Sequence, residues 1–158
     1  MEIIGTRFGD IQVEADKLLD FPEGIPGLEC LRQFALLHDE NIAPFFWLQS
    51  VDQPEIALIV FDPFPLFPDY APLLPEETIN LLGEEADPSD ITLLSIALVP
   101  EDVTKMSCNL AAPIVVHGGK RMGVQALLER GAYQSRTPLY NKVVAHWKGG
   151  DGDAGPDA

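Results

Sequence analysis

Three histidines, two cysteines and five serines are the side chains of this chain best able to serve as base, metal ligand or nucleophile, and their spacing argues against each use. Ser50, Ser89, Ser95, Ser107 and Ser135 all lie outside a Gly-x-Ser-x-Gly elbow. His38, His117 and His146 stand too far apart for the one-turn helical spacing that holds zinc. Cys30 and Cys108 form no Cys-x-x-Cys pair and read as reduced, buried thiols. Gly118-Gly119-Lys120-Arg121-Met122-Gly123 lacks the Gly-Lys-Ser/Thr ending of a phosphate loop and reads as a hairpin turn. Asp151-Gly152-Asp153 begins like a calcium loop, but no bidentate glutamate follows it. Catalysis, a metal and a cofactor are all unexpected on these grounds.

The carboxylates offer one alternative. Asp62 and Asp69 bracket an aromatic loop, and with Tyr70 they could serve a small β-barrel hydrolase or ligand-binding protein. An aspartate before proline or tyrosine in a proline-rich stretch is more often a turn former that accepts from nearby backbone N–H groups, and that reading is preferred. The loop itself, Asp62-Pro63-Phe64-Pro65-Leu66-Phe67-Pro68-Asp69-Tyr70-Ala71-Pro72, has four prolines in eleven residues, which favours extended polyproline-II geometry. Phe64, Phe67 and Tyr70 recur every third residue and would then project from one side. They would either close a lid over an open barrel end, the plainer reading, or present a face to a partner. Candidate partner-contacting residues are Phe64, Phe67, Asp69 and Tyr70 here, with Val143 and Trp147 near the C-terminus.

The elements that position these residues are mostly short strands. Strand character is found at 1–6, 9–13, 33–38, 45–50, 55–61, 91–99, 106–110, 112–117 and 124–129, with hairpin turns expected at Gly9-Asp10 and Gly118-Gly119. Two helices are expected. One covers 74–83, with Pro75 in its first turn and Gly83 as its stop. The other covers 137–149, capped by Thr137 and opened by Pro138, with Leu139, Val143 and Trp147 on one face. The expected class is all-β, a compact antiparallel barrel-like domain or small sandwich with one or two short helices. Residues 1–148 form a single domain in this reading, and the Gly/Asp-rich acidic segment 149–158 is a disordered tail.

Charge is unevenly distributed. Of a net charge of −15, residues 1–104 carry 21 acids against three bases, Arg7, Lys17 and Arg32. Residues 105–148 carry seven bases and one acid, Glu129. Such a field repels nucleic acid and anionic membranes from most of the surface and draws in basic proteins. The longest apolar run, residues 56–61, is far shorter than the roughly 20 residues of a membrane span. With no secretory leader at the N-terminus, the expectation is a cytoplasmic monomer that binds proteins but neither membrane nor nucleic acid.

Seven segments together resemble a known family. Phe21-Pro22-Glu23-Gly24-Ile25-Pro26-Gly27, Pro44-Phe45-Phe46-Trp47-Leu48-Gln49-Ser50, Phe61-Asp62-Pro63-Phe64 and Phe67-Pro68-Asp69-Tyr70 are similar, in this order, to the flagellar assembly factor FliW family. So are Asn109-Leu110-Ala111-Ala112-Pro113-Ile114, Arg121-Met122-Gly123-Val124-Gln125 and Tyr133-Gln134-Ser135-Arg136-Thr137-Pro138-Leu139. The resemblance spans residues 1–139. It departs at Ser107-Cys108, where Thr-Val is expected, and at Thr137, where histidine is expected; it does not reach the last helix. It implies a barrel-like fold without enzymatic activity and two protein partners, flagellin and the RNA-binding translational regulator CsrA. Flagellin would hold the factor away from CsrA, and export of flagellin would free it to relieve translational repression.

Overall fold

The structure is a computed structural model and describes residues 1–83 and 87–151. Seven strands close a barrel: β3 (Leu18–Asp20), β4 (Gln33–His38), β5 (Phe45–Ser50), β6 (Ala57–Phe61), β7 (Ile91–Leu98), β8 (Ser107–His117) and β9 (Met122–Gln125). Each strand pairs antiparallel with the next in sequence, so the barrel is a meander. An odd number of alternating strands must end pointing the way it began. Closure between β9 and β3 is accordingly parallel, through the single pair Asp20–Met122. A separate hairpin of β1 (Glu2–Thr6) and β2 (Gly9–Gln12) precedes the barrel. Helix α1 (Glu76–Leu82) lies between β6 and β7, while β10 (Thr137–Pro138) pairs with the start of β8 and leads into α2 (Tyr140–Asp151).

Alternation along the strands places one set of side chains inside and the other outside. Leu19, Phe34, Leu48, Val60, Leu94, Ile114 and Val116 fill the interior with Phe21, Ile25 and Leu31 from the following turn. The outer set is apolar too, and three covers bury it. The β1–β2 hairpin seats Ile3 and Val13 on Ala35. Helix α1 lays Leu82 against Val115, Val124 and Ala126. Loop 62–72 and α2 cover Phe45, Phe61, Ala97 and Cys108 with Leu66, Tyr70, Leu139 and Val143. Burial on both faces explains why β8 reads as a nearly continuous apolar run; complete burial of one such large side chain contributes about 1.5–3 kcal/mol.

Several expectations need correction. The strands expected at 106–110 and 112–117 are one strand with a wide bulge. Leu94 pairs with Ile114 and Ile96 with Asn109, so Ser95 alone stands opposite residues 110–113. Asn109 holds the bulge by accepting from Ala111 N and Ala112 N at 3.0 and 3.1 Å, and Pro113, unable to donate to a ladder, is accommodated there. The first hairpin turns at Arg7-Phe8, one pair earlier than Gly9-Asp10. Thr137 and Pro138 belong to β10, and α2 begins two residues later, at Tyr140. Three-residue β3 is too short for its periodicity to be read from sequence. Helix α2 continues to Asp151, past the expected end of the domain, and the remainder of the expected tail, 152–158, lies outside the described residues.

One of the two thiols also differs from expectation. Cys108 is buried, but Cys30 is exposed in the turn before Leu31. Burial pushes the Cys108 thiol up to about 11, against a smaller opposing effect from the Ser95 hydroxyl. Iodoacetamide at about pH 8 is therefore expected to modify Cys30 alone in the folded protein and both thiols in denaturant. Mass spectrometry of the alkylated chain gives the count. Two labels on the native protein would contradict the packing around Cys108.

Candidate functional site

Loop 62–72 is not a polyproline helix. Asp62 Oδ1 accepts from Phe64 N at 3.0 Å, the turn-forming role expected of it. Phe67 N then donates to Pro63 O at 2.8 Å and Tyr70 N to Phe67 O at 2.9 Å, so the segment coils through successive turns. Coiling breaks the threefold projection and sends the three rings to different depths. Phe64 is 39% exposed, Phe67 is half-buried and Tyr70 is 5% exposed. The loop is thus partly a lid, but one laid on the outer barrel wall and not over an end.

Tyr70 anchors it. Its hydroxyl donates to Leu110 O in the β8 bulge at 2.7 Å, a carbonyl that the bulge frees from strand pairing. Its ring meets Tyr133 edge-on at 4.7 Å between centroids and lies 5.8 Å from Phe64. The Tyr133 hydroxyl accepts from Ala71 N at 3.0 Å. Burial, with smaller contributions from Tyr133 and Cys108, holds the Tyr70 phenol well above its usual range. The bulge, Tyr133 and loop 62–72 therefore form one interlocked unit.

Above this anchor is an open hollow of about 200 Å³ lined by Phe67, Pro68, Asp69, Tyr70, Leu110, Tyr133 and Lys142. Lys142 of α2 places its Nζ 5.4 Å from the Phe67 ring centroid, a cation–π distance. The sequence-predicted residues are only partly brought together. Phe67, Asp69 and Tyr70 line the hollow, Phe64 sits beside Tyr70, and Val143 is fully buried beneath α2. Trp147 is 46% exposed farther along the helix, its Nε1 donating to Ala43 O at 3.0 Å. Tyr70 and Val143 thus support the surface from within; their side chains do not form an exposed seat. Tyr133 and Lys142 were missed. Tyr133 opens one of the seven segments that resemble the family, which could have marked it, and Lys142 could have been found from its place one residue before Val143 on the expected helix.

Aromatic faces, one cation and one exposed carboxylate therefore meet at this surface. Among the described residues no group of three or more His, Cys, Asp or Glu is placed to hold a metal, and no helix is long and apolar enough to cross a membrane. The family model described as FliW protein matches residues 2–139. The chain belongs to the FliW family. A flagellar assembly factor FliW from Caldicellulosiruptor bescii is 38% identical over 136 residues, covering 86% of this chain and 88% of the relative. The FliW of Lachnoclostridium phytofermentans is 33% identical over 156 residues, covering 97% of this chain and 99% of its own. That alignment is long enough to include α2, which the resemblance in sequence motifs does not reach. A crystal structure of the flagellar assembly factor FliW superposes with a TM-score of 0.79 at 33% identity, covering 88% of this chain and 96% of that one. This is a family of flagellar assembly factors and not of enzymes, so the alternative hydrolase reading of Asp62, Asp69 and Tyr70 is set aside.

Proposed function

We propose that this FliW-family chain is a cytoplasmic, monomeric and non-catalytic factor that binds flagellin and antagonises a CsrA-type translational regulator, coupling flagellin level to flagellin synthesis. The observation that carries this reading is the aromatic hollow at Phe67, set against α2 in a chain of net charge −15. An amphipathic helix of an export-competent partner needs an apolar seat, which Phe64, Phe67 and the exposed part of Trp147 can supply, with Asp69 at its edge and Tyr70 and Val143 holding it from beneath. A basic RNA-binding regulator is instead drawn to the acidic residues of the first 104 positions. Neither role requires direct contact with nucleic acid or membrane.

Surface plasmon resonance of both partners across a salt series tests the division. Raising ionic strength to physiological levels shortens the Debye length to about 8 Å and is expected to weaken CsrA binding more than flagellin binding. Phe67→Ala is expected to weaken flagellin binding about tenfold or more and to leave CsrA within about twofold. Equal salt slopes together with equal losses would replace the two-surface reading with a single shared site.

A further inference from the structure

Strand β9 pairs with β8 at four positions but meets β3 at only one, Asp20 with Met122. Asp20 N donates to Arg121 O at 2.9 Å, but two residues later Pro22 has no N–H with which to continue the ladder. The Pro22 carbonyl has turned aside to accept from Arg32 Nη1 at 2.8 Å. On the opposite side, Ala126 N donates to Pro113 O at 2.8 Å. Antiparallel pairing alternates, so Gln125 and Leu127, flanking Ala126, turn their backbone groups away from β8. Among the described residues those N–H and C=O groups have no hydrogen-bond partner. Beside this bare edge is an open hollow of about 520 Å³, bounded by Gln125 and Leu127, by Glu77 and Leu81 of α1 and by Glu23 of the turn after β3.

We propose that this seam is a strand-addition site for an extended segment of a partner protein that alternates basic and apolar side chains. An unpaired strand edge offers donors and acceptors at the spacing of a neighbouring backbone about 4.7–4.9 Å away, and the adjoining hollow leaves room for one. The carboxylates of Glu23 and Glu77, both exposed, select lysine or arginine. Leu127, 59% exposed, and Leu81 offer an apolar contact between them. A second copy of this chain would set Glu23 and Glu77 against like charge, and the acidic C-terminal segment would be repelled in the same way. The site shares no lining residue with the aromatic hollow, so it does not depend on the function proposed there.

The test uses the full ¹⁵N-labelled chain and an end-capped heptapeptide of alternating lysine and valine. The expected result is a shift of the Gln125 and Leu127 amide resonances on titration, with their hydrogen exchange slowed about tenfold or more at saturation. Leu127→Pro removes an outward N–H and no bond to β8, and should weaken the peptide about tenfold; Leu127→Ala, which keeps the amide, should cost less. Should the proline variant unfold, the double reversal Glu23→Lys with Glu77→Lys decides instead, by excluding the Lys/Val peptide and admitting a Glu/Val one. Unmoved Gln125 and Leu127 amides, or equal binding of Glu/Val and Lys/Val peptides to the native chain, would overturn the proposal. Concentration-dependent shifts at these amides without peptide would assign the edge to a second copy and overturn it equally.

Discussion

Replacing Gly24 with valine is expected to destabilise the fold by about 3–5 kcal/mol, from overpacking and left-handed backbone strain together. Gly24 has φ +66, and a Cβ there would stand 2.6 Å from Glu29 O and 2.7 Å from Glu29 Cα. These are backbone atoms of the same tight turn, whose Gly24 N donates to Phe21 O at 2.9 Å, so no rotamer change relieves the contact. Valine adds the cost of a β-branched side chain at positive φ. The turn positions Phe21, Ile25 and Leu31 in the barrel interior, so a shift here is transmitted to the main core. Gly27 supplies the control. It has φ +89, but a Cβ there would meet nothing within 4 Å, so Gly27→Ala should cost only the strain, about 1–2 kcal/mol. Thermal unfolding should show Gly24→Val lower in Tm by roughly 10 °C or more, with Gly27→Ala much nearer the parent. Equal shifts for the two variants would remove the collision with Glu29 from the account.

Tyr70→Ala is expected to cost about 3–5 kcal/mol, because it empties a buried aromatic site and frees loop 62–72 from the β8 bulge. Tyr70→Phe keeps the ring and leaves Leu110 O without its donor, at about 1–2 kcal/mol. Binding experiments on this surface are therefore better made with the phenylalanine variant. The phenol also sets a pH dependence. Its folded pKa lies above the ordinary 10.0, chiefly because burial disfavours the phenolate. The stability this contributes is fully present below the unfolded value and is lost as the pH climbs above it. Cys108, raised from 9.0 to about 11, acts in the same direction. Urea denaturation near pH 8 and again above about pH 10 should show the parent losing stability and Tyr70→Phe losing less. Parallel losses in both proteins would relieve Tyr70 of this role.

How far the sequence revealed these features depended on the range over which each is determined. Strands β4 and β5 are legible to the residue because β-rich runs are bounded by local turn residues. Closure of the barrel is different, since nothing near Asp20 announces a partner at Met122. The aromatic loop shows the same divide. Its composition marks Phe64, Phe67 and Tyr70, but proline content suggests an extended path where packing against the wall imposes turns. Tyr70 is buried because Asn109 shapes a bulge 39 residues away, a relation that no local window contains. Helix α2 is legible with its apolar face, yet its first turn is displaced because Thr137 and Pro138 are taken by β8 instead.

The odd strand count has a consequence for the order in which the chain assembles. Each pairing within the meander joins strands adjacent in sequence, most of them across a short connection, though β6 and β7 are joined through loop 62–72 and α1. Only the pairing of residues 20 and 122 must wait for the intervening segment to be gathered. Bringing the ends of a chain of about a hundred residues together carries a loop-closure cost on the order of 4 kcal/mol, too much for one residue pair to repay before the strands between are in place. The folding nucleus therefore belongs to short-linked strands such as β4–β6, and the seam closes last, as a zip fastened from the far side. Mutations in β3 or β9 should accordingly change the unfolding rate and scarcely touch the folding rate, leaving this edge the first part of the barrel to part.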